Sequence, residues 1–340
     1  MRNKKGWRIL VLFLLILLFG YVPANTEKPI VTPVLNQGYL PCAREMIQGA
    51  KKYIHILLLE IHKDGTTINL MEDLISAKKR GVETKVLVEN KLSCNQESLS
   101  YLRGKGIEAR LDSPGKFLHH KLMIIDGKEV LLGSTNWSYM SLDYNNETNV
   151  LVKDADVARY YEEYFQLLWK DPTQEPKVSL LKTKKVIPLA VKKDYSNQLH
   201  DLLNNAQKRI HIIMYGMRYY PQYPDSIVNT ILHDLIGAKK RGVEVKVLLD
   251  KSDYNQKLNS FNEEAARYLE GNGVEVRFDS PEVHTHAKLI IVDGATFLGS
   301  SNWGYGGLKL YLGSNVLLLD PQITDSYEKY FQRLWLQGGK

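Results

Sequence analysis

Apolar positions along the chain fall into two periods. Short runs such as Ile54–Leu59 and Ile210–Met214 are continuously apolar apart from one histidine each, and they read as buried strands. Each is followed by a segment with helical spacing that ends in Ala-Lys-Lys-Arg-Gly. There the cations suit the negative end of the helix dipole, and Gly81 or Gly242 supplies the cap. Next comes a strand (Lys85–Val88, Lys246–Leu249), a second helix and a strand running into a Ser-Pro pair. An apolar strand, an Asp-Gly turn and a returning strand follow, and a last amphipathic helix closes the pattern. Strands alternating with helices predict an α/β architecture with a mixed or mainly parallel sheet flanked by helices.

The pattern occurs twice. Residues 70–90 and 231–251 agree at 13 of 21 positions. The match continues in IHILLLEI (54–61) against IHIIMYGM (210–217), in YLRGKGIEARLDSP against YLEGNGVEVRFDSP, and in the closing YEEYFQLLW against YEKYFQRLW. A repeat of about 160 residues is the size of a domain rather than of a solenoid unit. The expected layout is therefore a first domain over 27–170, a linker over 171–191 and a second domain over 192–338, related by a pseudo-two-fold axis. The linker assignment rests on Pro172, Pro176, Pro188 and several lysines, in a stretch without a counterpart elsewhere.

Composition changes the picture only at the N-terminus. The 340 residues are 44% hydrophobic and 24% charged, which excludes disordered, collagen-like and multi-span membrane classes. Arg2, Lys4, Lys5 and Arg8 precede an unbroken apolar run, Ile9–Phe19, and Val22-Pro23-Ala24 then offers small residues at the positions a signal peptidase reads. Residues 1–24 thus read as a secretory signal or, if uncleaved, an N-terminal anchor. Either one places the body of the chain outside the cytoplasm, whether periplasmic, secreted or membrane-anchored. The formal net charge of +7 falls to 41 against 38, or +3, without that segment, so charge alone names no partner. Cys42 and Cys94 are too few for a disulfide scaffold. They form one bridge or remain two small buried side chains.

The chemistry lies in a motif present in both halves. Residues 119–136 read HHKLMIIDGKEVLLGSTN and residues 286–302 read HAKLIIVDGATFLGSSN. On a strand, positions i and i+2 share a face, so His119 aligns with Lys121 and His286 with Lys288, while Asp126 and Asp293 fall on the opposite face beside the turn. These segments resemble the HxKxxxxD and GSxN signature of the phospholipase D superfamily. The resemblance spans essentially the whole chain after residue 26. It implies a phosphodiester site at the seam between two phospholipase D-like domains, built by His119, Lys121 and Asn136 with His286, Lys288 and Asn302, and it implies no metal or other cofactor. Ser134 and Ser300 fall in the implied phosphate loop, and Asp126 and Asp293 are supporting members of the set. The residue types suit the chemistry. Lysines and amides hold an anionic phosphodiester and offset charge gained in the transition state. One neutral imidazole attacks phosphorus to give a phosphohistidine, and the other protonates the leaving alcohol. In similar enzymes the first-copy histidine is often the nucleophile, which assigns attack to His119 and acid catalysis to His286.

The copies differ in two ways. Six residues separate Asp126 from Gly133, but five separate Asp293 from Gly299. In addition, Glu147 matches a carboxylate that orients a histidine in the family, and the second half has Gly313 there. Glu147 is therefore expected to hold His119 and to leave His286 without an equivalent partner. His120, opposite Ala287, is expected to be structural. His284 and His286 form an H-x-H that would suit zinc, but the first half lacks it. His55 and His211 read as packed strand residues, and Trp137 and Trp303 as packing behind the GSxN loops.

The leading expectation is an exported, monomeric hydrolase that cleaves phospholipid headgroup esters at a membrane surface. The alternatives are a metal-independent endonuclease of the same superfamily, a phosphatidyltransferase of the cardiolipin synthase kind, and a phosphodiester-binding module whose site is impaired at Gly313. A nuclease would show steep salt dependence, and a lipase would depend on interface and headgroup.

Overall fold

The computed structural model describes residues 30–253 and 255–339; the N-terminal segment read as a signal or anchor lies outside them. Within the first half the strands are β1 (Ile30–Leu35), β2 (Tyr53–Leu58), β3 (Glu83–Val88), β4 (Glu108–Leu111), β5 (Lys121–Ile125), β6 (Glu129–Gly133) and β7 (Thr148–Lys153). The helices are α1 (Tyr39–Gly49), α2 (Thr67–Lys79), α3 (Ser93–Gly104), α4 (Tyr139–Asp143) and α5 (Ala155–Lys170). Their sheet runs β1-β7-β6-β5-β2-β3-β4, parallel across β2, β3 and β4 and antiparallel elsewhere. The second half repeats it with β8 (Val186–Leu189), β9 (Arg209–Met214), β10 (Glu244–Leu249), β11 (Glu275–Phe278), β12 (Lys288–Val292), β13 (Ala295–Gly299) and β14 (Asn315–Leu318), in the order β11-β10-β9-β12-β13-β14-β8. Its helices are α6 (Lys192–Asn204), α7 (Ile227–Lys240), α8 (Gln256–Glu270) and α9 (Pro321–Gln337). Each sheet is therefore mixed, and the α/β expectation holds.

Alternation along the strands explains the layering. In β2, Ile54, Ile56 and Leu58 point to an outer core shared with α1 and α2, whereas Leu57 points to a central core. That central core contains residues of both halves: Leu57, Leu122 and Ile124 from one sheet, Ile213, Leu289 and Ile291 from the other, and Tyr161, Phe165, Tyr327 and Phe331 from α5 and α9. The two halves are thus one packed body with α5 and α9 at the seam.

One boundary is corrected. Val186–Leu189, assigned to the linker, is β8, which pairs antiparallel with β14 as β1 pairs with β7. Pro188 suggested a loop, but β8 is an edge strand, where a missing N–H costs no ladder bond; Pro33 sits likewise in the edge strand β1. Cys42 and Cys94 are separate thiols. No helix among the described residues is long and apolar enough to cross a membrane.

Several repeated motif residues hold the frame. The Asp126 carboxylate accepts the backbone N–H groups of Lys51, Lys52 and Tyr53, and Asp293 accepts those of Gln207, Lys208 and Arg209. Each tethers the β5–β6 or β12–β13 turn to the start of the neighbouring strand. His55 is clamped between Glu162 and Glu83 and stacked on Phe165; His211 repeats this with Glu328, Glu244 and Phe331. Trp137 and Trp303 are fully buried and donate to the Tyr39 and Tyr195 hydroxyls at 3.1 Å, as expected of packing behind the loops.

Candidate active site at the seam

β5 and β12 run antiparallel to β2 and β9, and the HxK segments lead into them at the seam. A carboxylate at the end of β3 or β10 steers each segment: Glu89 accepts from the Leu118 N–H and Asp250 from the Thr285 N–H at 2.8 Å. The opposite half completes the hold. The His119 N–H donates to the Leu312 carbonyl at 2.7 Å, and the His286 N–H donates to the Asn146 carbonyl at 2.9 Å. Each HxK backbone is therefore fixed by the loop of the other half.

This exchange overturns the expected partner of Glu147. Because Asn146 bridges to Thr285, the next residue reaches across the seam, and His286 Nδ1 lies 3.1 Å from Glu147 Oε1. By the same symmetry Gly313 follows Leu312 beside His119, so His119 is the histidine without a carboxylate. Sequence alignment paired each acid with the histidine of its own half, whereas folding exchanges them.

Asp126 and Asp293 lie away from the cavity. They sit beyond the far ends of β5 and β12 from Lys121 and Lys288, about 16 Å along a five-residue strand, and they tether backbone. Ser134 is turned inward, its hydroxyl donating to Glu147 and accepting from the Thr148 N–H; the Ser300 hydroxyl accepts from the Ser314 N–H at 3.1 Å. These serines brace the seam rather than line the cavity. The glycine before each is required by crowding, since a Cβ at Gly133 would lie 2.3 Å from the Thr148 carbonyl oxygen and one at Gly299 2.4 Å from Asn315 Oδ1.

His119, Asn136, His286 and Asn302 line one cavity of about 480 Å³, joined by Glu60, His62, Tyr215 and His284. Both asparagine amide oxygens are buried and have no hydrogen-bond partner among the described residues. Lys121 and Lys288 are buried beneath, with their ammonium groups on the carbonyls of His119 and His286. Lys288 Nζ also sits 4.7 Å from the centre of the Tyr215 ring, which packs against His286. His120 is buried edge-on to Tyr164 and plays no part in the cavity.

The electrostatics are those of an anion site. Burial lowers Lys121 to about 7 and Lys288 well below the ordinary lysine value, and Glu147 opposes this for both. An anion seated between them would restore their charge. Burial also lowers His119 well below the ordinary imidazole value, reinforced by the charges of Lys121, Lys288 and His286. His286 is lowered by burial and Lys288 to about 4, but Glu147 works in the opposite direction. Burial would raise Glu147, but His286, Lys288 and Ser134 hold it at about 2. His119 is thus held neutral by its environment, and of the two imidazoles only His286 has a carboxylate beside it that favours its protonated form.

Sequence reasoning missed Glu60, Tyr215, Glu89 and Asp250. Glu60 was visible as a mismatch, because Gly216 stands opposite it in the repeat.

Residues 43–169 and 199–335 match the family model described as "Cardiolipin synthase, PLD-like domain". Mitochondrial cardiolipin hydrolase of Xenopus laevis is 25% identical over 164 residues, covering 45% of this chain and 76% of that protein. A probable cardiolipin synthase of Bacillus subtilis is 21% identical over 345 residues, covering 92% of this chain and 67% of that one. Among solved structures, phosphatidylserine synthase of Haemophilus influenzae superposes with a TM-score of 0.70 at 16% identity, over 92% of this chain and 87% of its own. Polyphosphate kinase of Porphyromonas gingivalis superposes with a TM-score of 0.65 at 15% identity, over 90% of this chain but 46% of that one. These likenesses confirm the duplicated fold.

Proposed function

Because the chain belongs to the phospholipase D superfamily of enzymes, we propose that it cleaves phospholipid headgroup esters through a phosphohistidine intermediate at the seam. The observation that carries the reading is the unequal pair of histidines in one lysine-backed cavity: His119 without an acid, and His286 on Glu147. His119 attacks phosphorus, and the bond from phosphorus to the headgroup oxygen breaks. His286 gives its proton to the departing alcohol. Neutral His286 then takes a proton from water, whose oxygen attacks phosphorus and breaks the P–N bond. The products are phosphatidic acid, the free alcohol and the original enzyme. Lys121, Lys288, Asn136 and Asn302 hold the phosphoryl oxygens, and their charge and dipoles favour the five-coordinate transition state.

Phospholipid is favoured over nucleic acid by the cardiolipin-related relatives. The basic and apolar N-terminal segment supports export and contact with a membrane surface. A second reading is transfer to an alcohol instead of water. Its support is the cardiolipin synthase relative, which aligns with 92% of the chain.

The test is headgroup release from mixed phospholipid vesicles by the full-length chain in EDTA, with and without added glycerol, beside the His119→Ala variant. Release that the substitution abolishes establishes the reaction class. A phosphatidylglycerol product in glycerol establishes transfer. Absence of release, with cleavage of single- or double-stranded DNA, would replace lipid by nucleic acid.

A further inference from the structure

The mismatch at Glu60 extends to a cluster that the reaction does not use. Ligand atoms of Glu60, His62 and Cys94 all lie within 4.8 Å of one another, with His62 Nε2 already 3.6 Å from Glu60 Oε2. A tetrahedral zinc-class ion needs its ligand atoms about 3.5 Å apart, so small side-chain rotations close the set. The three residues come from two places in the chain. Glu60 and His62 follow β2, where the His62 N–H is fixed on the Trp137 carbonyl at 2.8 Å. Cys94 is on α3, next to Asn95, whose amide is locked on Leu59, Ile61 and Glu89. All three side chains are partly exposed, and Glu60 and His62 line the candidate active-site cavity, so an ion has a route in.

The second half provides an internal comparison. The Arg218 N–H is fixed on the Trp303 carbonyl at 2.8 Å, and Asn262 is locked on Tyr215, Met217 and Asp250 as Asn95 is on Leu59, Ile61 and Glu89. The counterparts of Glu60, His62 and Cys94 are therefore Gly216, Arg218 and Phe261. There the Arg218 guanidinium lies 3.4 Å from the centre of the Phe261 ring, a cation held in place by the protein. Where one half carries its own cation, the other carries a carboxylate, an imidazole and a thiol converging on one point.

We propose that Glu60, His62 and Cys94 form a site for a divalent transition-metal ion of the zinc class on the wall of the substrate cavity, with the remaining coordination position left to water. The thiol loses its proton on binding, so affinity rises with pH. The mixed sulfur, nitrogen and oxygen donors select against magnesium and calcium. The ion would offset the Glu60 charge that acts on Lys121 and His286. The proposal concerns this cluster alone and does not depend on which phosphodiester is cleaved.

The test is a cobalt(II) titration of the full-length chain followed by absorption spectroscopy, with zinc competition and an excess of magnesium. One equivalent is expected, with a sulfur-to-cobalt charge-transfer band that zinc abolishes and magnesium leaves intact. Cys94→Ser should remove the band, and His62→Gln should weaken binding at least tenfold. Cys42→Ser should change neither, because Cys42 is on α1 and faces a different pocket, shared with Glu45, Asp126 and Lys128. Near-ultraviolet circular dichroism of each variant keeps misfolding distinct from loss of ligands. A wild-type chain without the band, or a band that survives Cys94→Ser and disappears in Cys42→Ser, would overturn the proposal.

Discussion

The two halves of the molecule agree where they build and differ where they act. Asp126 and Asp293 bind equivalent sets of three backbone N–H groups, His55 and His211 are clamped by equivalent pairs of acids, and Trp137 and Trp303 donate to equivalent tyrosines. Around the cavity the copies part. Glu147 faces Gly313, and Glu60, His62 and Cys94 face Gly216, Arg218 and Phe261. The lesson is physical. A duplicated fold needs the same tethers twice, but a two-step displacement needs one histidine neutral and the other protonated. Identical surroundings would give both the same proton affinity, and a carboxylate on one side alone breaks the tie.

The sharpest way to break this comparison is to remove each histidine in turn. His119→Ala and His286→Ala should each lower headgroup release by about 10⁴-fold or more, since acid–base and nucleophilic roles are lost outright. An activated ester, whose leaving group needs no proton, should separate them: His286→Ala keeps the first step, whereas His119→Ala keeps neither.

Next is the acid itself. Glu147→Gln should lower kcat by about 10²-fold and depress His286 further, moving the alkaline limb of the kcat profile to lower pH, while His119 is little affected. Gly313→Glu should act in the other direction by raising the proton affinity of His119 and cutting its nucleophilic fraction. A Cβ at 313 meets the Ser300 hydroxyl at 2.7 Å, so pairing this change with Ser300→Gly keeps the test from being a steric one.

The lysines come third, and they set activity against stability. Lys121 is lowered to about 7, so it loses its proton as pH rises through neutrality, and kcat/KM should fall above about pH 7. Between there and the ordinary lysine value the unfolded chain binds more protons than the folded one. The contribution of Lys121 to stability therefore rises with pH over the same range. Lys121→Met should abolish cleavage yet raise Tm at neutral pH, which calorimetry will show. The smallest effects should be the symmetric ones. Asp126→Ala and Asp293→Ala should each cost about 1–3 kcal/mol in denaturant unfolding and leave kcat within about twofold. Unequal costs would break the equivalence of the frames.

Much of this was legible in the sequence. The repeat gave the domain count, the paired HxK and GSxN segments gave the cavity residues, and His55, His120, Trp137 and Trp303 are the packing residues their context suggested. What was not legible came from the seam. Glu147 could not be assigned to His286 from alignment, because each half hands its loop to the other through Asn146–Thr285 and Leu312–Leu118. Ser134 looked like a phosphate ligand but braces Glu147. Pro188 hid β8, since proline marks loops and edge strands alike.

The most direct test is to find which histidine carries the phosphoryl group. A phosphodiester with a p-nitrophenol leaving group, mixed rapidly with His286→Ala and quenched in alkaline denaturant, should give a burst of one p-nitrophenol per chain, and peptide mapping should place the phosphoramidate on His119. A burst in His119→Ala instead, with the label on His286, would contradict the account.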